Sequence, residues 1–530
     1  MSSRVFLVLP FLSIVLHFYQ SCFAWAAPPK LDYLFPAGGQ RGTTVEVTAA
    51  GTFERWPVQV HVEGEGITVQ SSKSRGKLAI TIAKDTPPGV YWLRLHDDDG
   101  PSVARPFIVG ILPEVMEKEP NDDPKKQVLS QTSVVVNGRL DQPGDVDTFA
   151  LKLTKGQILV ASLEAHRTLR SPMDGVLQIL SADGFVLEQN NDYNGLDPQI
   201  AFTAPKDDTY LVRLFAFPSV PDSTVRFAGK ENYVYRLTLT TGPFVEYVYP
   251  LSVSRAGPAT VELVGWNIPD DLRSFRVSPR TGDDLLSLCD PRIANPFAVR
   301  VQTNPTGLKT HATRQAPQMI VMPTTITGRL DRPGDIDVYQ FDARKGDKLL
   351  FRIEARTLGF PLDPVMRLTD AAGKTLLQSK VGAIGTDPAL NYTATADGRY
   401  RLEVSDLYRA GSLRHVYQLR AGPIESDFEV KVAADTFTLT AGKPLEIPVT
   451  VTRLGGFKEP IDLSVAGLPK TVSVTTDAKS ITLRLLDKTG FNGPIRIVAT
   501  AKSGVTRRAR APIAEFARTT ESLWLVVASK

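Results

Sequence analysis

The chain has 530 residues, with 39 Gly, 39 Pro and 2 Cys, and its 61 basic side chains nearly balance 57 acidic ones for a formal charge of +4. That balance lacks the electrostatic footprint of a nucleic-acid binder. Scattered Gly and Pro suit many turns and argue against one long disordered tract.

At the N-terminus, Arg4 is the only charged residue before Lys30, Val5 to Leu16 is an almost unbroken apolar run, and Ala24-Trp25-Ala26 follows. A positive start, a short apolar run and a small-x-small site predict a signal peptide over 1–26 and a mature N-terminus at Ala27 or Pro28. The run is shorter than the roughly 20 residues a membrane span needs, and no later segment is long enough, so no span is expected. Tyr19-Gln20-Ser21 is a poor lead-in for lipidation at Cys22. Cleavage removes Arg4 and Cys22, leaves a charge of +3, and makes Cys289 solitary. Without a disulfide, stability must come from core burial, packing between units or a metal. Nothing activating neighbours Cys289 in LLSLCDP, which predicts a buried, inert thiol.

Two repeats are interleaved along the rest of the chain. LDYLFPAGGQRGTTVEVTAAG at 31–51 returns as VEYVYPLSVSRAGPATVELVG at 245–265. GRLDQPGDVD at 138–147 returns as GRLDRPGDID at 328–337, 190 positions on, with eight of ten letters identical. The order is A-B-A-B, with A units at 28–110 and 244–318, B units at 114–243 and 320–423, and a fifth unit at 424–530. Units of about 100 residues are domains, since solenoid repeats run roughly 20–50. Tyr235-Arg236-Leu237-Thr238-Leu239, Tyr400-Arg401-Leu402-Glu403-Val404 and Leu445-Glu446-Ile447 alternate with a period of two. One row then faces a core and the other faces water. With a turn signal every ten residues or so, the predicted fold class is all-β, a multidomain string of β-sandwich modules.

Several segments imitate functional motifs. AGGQRGTT lacks the lysine of a phosphate loop and precedes a strand, so it reads as a turn. His96-Asp97-Asp98-Asp99-Gly100 follows a strand and reads as a polar hairpin. Trp92 and Trp524 lie in strand patterns and are expected in cores, as are Trp56 and Trp266, for which an exposed sugar platform is the alternative. Arg507-Arg508-Ala509-Arg510 reads as a solvated basic strand. None of His61, His96, His166, His311 and His415 lies in a zinc-peptidase motif, and no nucleophile elbow occurs.

EPNDDP at 119–124, GRLDQPGDVDTF, the Asp183-Gly184 turn and the closing Tyr-x-Leu strand resemble the bacterial pre-peptidase C-terminal domain. The second B unit matches it with GRLDRPGDIDVYQF and DGRYRLEV. The resemblance implies a jelly-roll-like β-sandwich appended to secreted hydrolases, and only that appended module is matched. The A units resemble IPT/TIG modules of cell-surface proteins, and the fifth unit resembles an immunoglobulin-like sandwich.

One constellation carries metal chemistry. Glu117, Glu119 and Asn121 share one side of an extended segment, Asp122 follows, and Asp145 and Asp147 lie two apart. Calcium takes six to eight oxygens, which carboxylates from two neighbouring segments supply. Collagen-binding modules of bacterial collagenases resemble this unit and hold calcium with a similar linker and later aspartates. The alternative is an acidic linker and a Pro-Gly turn whose aspartates accept backbone N–H groups. By the 190-residue offset the second unit has Gly307, Lys309, His311 and Ala312 in the linker, and only Asp335 and Asp337 survive. Two carboxylates make a poor cage, so calcium is expected in the first B unit only.

The expected function is that of an exported, non-enzymatic, multimodular binding or spacer protein, secreted, periplasmic or at the cell envelope. Its expected partner is an envelope or extracellular protein or polysaccharide. The alternative is a secreted hydrolase, or the accessory chain of one, because a glycosidase needs only two carboxylates.

Overall fold

The computed structural model describes residues 27–121, 127–223, 226–280, 282, 284–310, 312–379, 386–487, 489–513, 515–516 and 518–528. The expected signal peptide at 1–26 and the candidate ligand Asp122 lie outside them. The protein is all-β: strands dominate, and the helical elements are single turns such as His166–Leu169 and Asp270–Arg273.

In the first A unit, Lys30–Phe35, Thr44–Thr52, Lys77–Ile82 and Ile67–Ser71 form one sheet in that order. Gly38–Gln40, Arg105–Gly110, Gly89–Asp97 and Gln59–Glu63 form the other. Val47, Leu78, Ile80, Leu93, Leu95 and Phe107 meet between them as one core. The alternation that puts Leu93 and Leu95 inward leaves Trp92, Arg94 and His96 on the opposite face.

The first B unit stacks a five-stranded sheet on a four-stranded one. The former runs Glu114–Met116, Ser133–Arg139, Val234–Thr240, Ile158–Glu164, Gln199–Thr203, and the latter begins at Asp147–Leu153. The second B unit repeats the first order with Thr306–Leu308, Thr324–Arg329, Val416–Pro423, Lys348–Glu354 and Ala389–Thr393. Residues 306–308 and 318, expected in the second A unit, and residue 319, expected between the two units, therefore pair inside the second B sandwich. Edge strands of two or three residues are too short for alternation to announce.

Tyr400, Leu402 and Val404 point into the core as the period of two requires. Arg236 departs from that pattern: its strand alternates, yet it is only 4% exposed. Its guanidinium donates to Glu114 at 2.6 Å and to the Asn137 side-chain oxygen at 2.7 Å. The first A unit covers this face, with the Gly38 backbone against the Arg236 side chain. A Cβ on Gly38 would lie 2.3 Å from both the Arg236 side chain and the Ile108 carbonyl oxygen. Gly38→Ala is therefore expected to destabilise the protein by about 1–3 kcal/mol, measured by denaturant unfolding.

Other junctions are equally specific. Arg414 of the second B unit lies 3.7 Å from the centre of the Tyr193 ring in the first B unit and pairs with Glu246 of the second A unit at 2.5 Å. Trp266 packs between Phe244 and Tyr193, and Trp56 meets Phe53 at a tilt of 52° while its indole N–H donates to the Ser72 carbonyl. Cys289 is half-buried with the Arg41 guanidinium 3.9 Å from its sulfur, a neighbour that LLSLCDP alone does not announce. Arg507, Arg508 and Arg510 are ion-paired, the first with Asp427 and the others with Glu521.

Candidate metal centre

Four segments of the first B unit converge at one end of its sandwich. Edge strand Glu114–Met116 runs parallel to Ser133–Arg139 and delivers Glu117, whose N–H donates to the Asn137 carbonyl at 3.0 Å. Asp147 opens the strand of the opposite sheet, and Tyr235 rises from Val234–Thr240. Carboxylate oxygens of Glu117, Glu119 and Asp147 all lie within 4.8 Å of one another.

Few donors face these oxygens. The Arg139 N–H donates to Glu117 Oε1 at 2.7 Å. The Tyr235 hydroxyl lies 2.8 Å from Glu117 Oε2 and 2.6 Å from Asp147 Oδ2, and it has one proton for the two. Asp147 is fully buried and its Oδ1 has no hydrogen-bond partner among the described residues. Asn121, also fully buried, has a side-chain amide with no partner among the described residues at either atom. Burial pushes the Glu117 carboxyl up to about 7, against the Arg139 N–H and Tyr235 hydroxyl that pull it down. Burial and then the neighbouring Glu117 charge push Asp147 well above the usual carboxylate range. Carboxylates this close and this desolvated need either a proton or a cation.

Of the six residues expected as ligands, Glu117, Glu119 and Asp147 come together, and Asn121 adds a buried, unpartnered amide oxygen on the same linker. Asp145 accepts the Asp141 N–H at 2.6 Å, the turn-capping role weighed as the alternative. An all-oxygen set of carboxylates and an amide fits a hard divalent cation such as calcium. Tyr235 was not among the expected ligands; its signal is the recurrence of V-Y-x-L at 234–237 and 416–419.

The second B unit solves the same problem with a side chain. The Lys309 N–H donates to the Thr327 carbonyl at 2.8 Å, as that of Glu117 does to Asn137. The Thr310 N–H donates to Gln318 Oε1 at 2.8 Å, as that of Lys118 does to Gln127 Oε1 at 3.2 Å. Lys309 thus stands where Glu117 stands, and the linkers align at an offset of 192, two more than the 190 of the GDxD turns. The expected match of Glu117 with Gly307 is corrected accordingly. Lys309 Nζ lies 2.8 Å from Asp337 Oδ1 and also donates to the Arg329 carbonyl. Tyr417 donates to Asp337 Oδ2 at 2.6 Å, as Tyr235 does to Asp147. Asp335 accepts the Arg332 N–H at 2.9 Å and caps its turn.

No family model matches the chain. A protein of Deinococcus radiodurans described as a probable subtilase-type serine protease is 39% identical over 236 residues, covering 44% of this chain and 26% of that protein. The chain thus spans about a quarter of the length of that curated relative. Among solved structures, the pre-peptidase C-terminal domain of a collagenase from Bacillus anthracis matches 20% of this chain and 92% of that domain, at 20% identity and a TM-score of 0.17. The insect immune protein hemolin matches 94% of this chain and 99% of its own, at 10% identity and a TM-score of 0.26.

Proposed function

We propose that this chain is an exported, non-enzymatic binding protein of the cell envelope or extracellular space, whose first B unit carries a structural calcium ion. The observation that supports the ion is the internal contrast between the two copies. Where the second copy places the Lys309 ammonium against its buried aspartate, the first gathers Glu117, Glu119 and Asp147 with no cationic side chain of the described residues among them. Calcium there would be held by those carboxylates and the Asn121 amide oxygen, and would supply the missing positive charge. Asp122 and Asp145 belong to the proposed shell by spacing alone. Its role would be to fix the linker against the sandwich.

The binding role is supported by the architecture. The described strands build sandwich sheets and leave loops at their ends, which suits recognition on a rigid scaffold. No helix among the described residues is long and apolar enough to cross a membrane. We assign five units as expected from the repeats, moving the second A–B boundary to just before Thr306 because that strand pairs with Thr324–Arg329. The proposed ligand is an envelope or extracellular polysaccharide or protein, and two A–B pairs would raise avidity where both reach one polymer.

The second reading, an accessory chain of a secreted hydrolase, draws on the 39% identity to a protein described as a protease. Purified mature chain should leave casein, collagen and common polysaccharides intact while being retained by at least one envelope polymer on a column. Turnover that vanishes on changing one carboxylate would replace the proposal with a hydrolase.

A further inference from the structure

The two ends of the chain meet across a face rich in titratable groups. Strands Gln59–Glu63 and Gly89–Asp97 pair with His61 opposite Arg94 and Glu63 opposite Trp92. Val60, Val62, Leu93 and Leu95 pack in the first A core, so Gln59, His61, Glu63, Trp92, Arg94 and His96 share the outer face. The C-terminal sandwich covers that face. Its strand Leu523–Ala528 alternates likewise: Leu523, Leu525 and Val527 fill its own core, and Trp524 points away from it.

Trp524 is 1% exposed because the first A unit buries it. Its ring centre lies 5.3 Å from that of His61 and 5.0 Å from that of His96, and the Arg94 guanidinium lies 5.9 Å away. Arg94 is ion-paired with Asp435 at 2.7 Å, and the Thr520 hydroxyl donates to Glu63 at 3.3 Å. Trp92 meets Phe516 edge-on at 4.9 Å. His61 also lines a cavity of about 550 Å³ with Glu63, Arg496, Arg508 and Glu521. Glu521 is already engaged by Arg508 and Arg510, and Asp435 by Arg94, so among the described residues neither of these carboxylates is free to partner a histidine across the contact.

We propose that this contact is an acid-released clasp, in which protonation of His61 and His96 beside Arg94 parts the first A unit from the C-terminal sandwich and exposes Trp524. Two imidazolium charges added to Arg94 would place three cations around one indole, in a contact only partly open to water. Cation–π attraction to the single ring would have to overcome their mutual repulsion and desolvation. Burial lowers the pKa of both histidines, aided at His61 by Arg94 and at His96 by His61. A histidine held neutral in the closed form and free in the open form favours closure above its ordinary pKa of about 6.5, and that preference is lost as pH falls below it. Each such histidine lowers the closed-to-open ratio by up to about tenfold per pH unit. Glu63, raised by burial, acts in the opposite sense, favouring closure as it gains its proton nearer the carboxylate range.

Small-angle scattering and tryptophan emission of the full mature chain from pH 8 to pH 5 test the clasp. The radius of gyration should grow and the emission shift red as the pH falls. His61→Gln with His96→Gln, checked for parental near-ultraviolet dichroism at pH 8, should stay closed across the range. Each single variant should open at lower pH than the parent. Asp435→Asn, which leaves Arg94 without its carboxylate, should open at higher pH. A constant radius down to pH 5, or histidine variants that open where the parent does, would overturn the proposal.

Discussion

Replacing Lys309 by methionine is expected to destabilise the second B unit by about 3–5 kcal/mol at pH 8, the range for removing one member of a buried ion pair. The stem is conserved in length, so the loss reports the ammonium. Lys309 and Asp337 side chains are 16% and 4% exposed, which leaves water little opportunity to replace the contact. Burial holds the Asp337 carboxyl up at about 6 even with Lys309 beside it pulling down. Without the lysine it rises further, and the carboxylate must take a proton or stay unpaired. Its folded pKa then lies above its unfolded one, so folding binds a proton and stability falls as pH rises through that window. The loss should therefore shrink markedly at pH 5. Adding Asp337→Asn, which keeps an acceptor for the Tyr417 hydroxyl, should recover much of the stability at pH 8. Urea unfolding of the full chain at the two pH values measures both effects, and a loss independent of pH would show that packing, not charge, is what Lys309 supplies.

The first B unit should respond to calcium and pH in the opposite sense to an ordinary acidic protein. Glu117 at about 7 and Asp147 well above its usual value are carboxyls whose folded pKa exceeds the unfolded one. In chelator, stability should rise as pH falls from 8 towards 5, because folding takes up protons in that window. Calcium should reverse the trend, since ion and proton compete for the same oxygens and affinity falls as pH drops through 7. At 100 times its dissociation constant, calcium should add about 2.7 kcal/mol at pH 8. Asp147→Asn removes one repelling charge, keeps an acceptor for Tyr235, and should abolish the calcium response without lowering stability in chelator. Calorimetric scans with and without the ion separate these outcomes. A calcium gain that survives Asp147→Asn would place the ion elsewhere.

The sandwich fold was legible because inward residues such as Tyr400, Leu402 and Val404 recur with a period of two. What that period cannot show is a second covered face. Arg236 reads as solvent-facing yet lies at a junction between units, because alternation reports only which residues avoid water within one sandwich. Trp524 was expected in a core and lies in one shared by two units, which strand pattern alone cannot distinguish. At the candidate metal centre, carboxylate spacing pointed to Glu117, Glu119 and Asp147, whose oxygens lie together. The equivalence of Glu117 and Lys309 was hidden by two residues of slippage in a linker whose register is set by backbone hydrogen bonds.

Both A–B linkers are also edge strands, and this has a mechanical consequence. Glu114–Met116 and Thr306–Leu308 run parallel to the strands they join, held from Pro113 and Pro305 at one end to Glu117 and Lys309 at the other. Tension applied through the neighbouring unit acts along these strands, so their rungs are loaded together in shear instead of opening one at a time. Glu117, the proposed calcium ligand, and its counterpart Lys309 sit on the last rung of the two copies. In one linker the grip is built into the polypeptide, and in the other it would follow the ions of the surroundings, so a pulled chain would yield first at the joint before the first B unit whenever calcium is scarce.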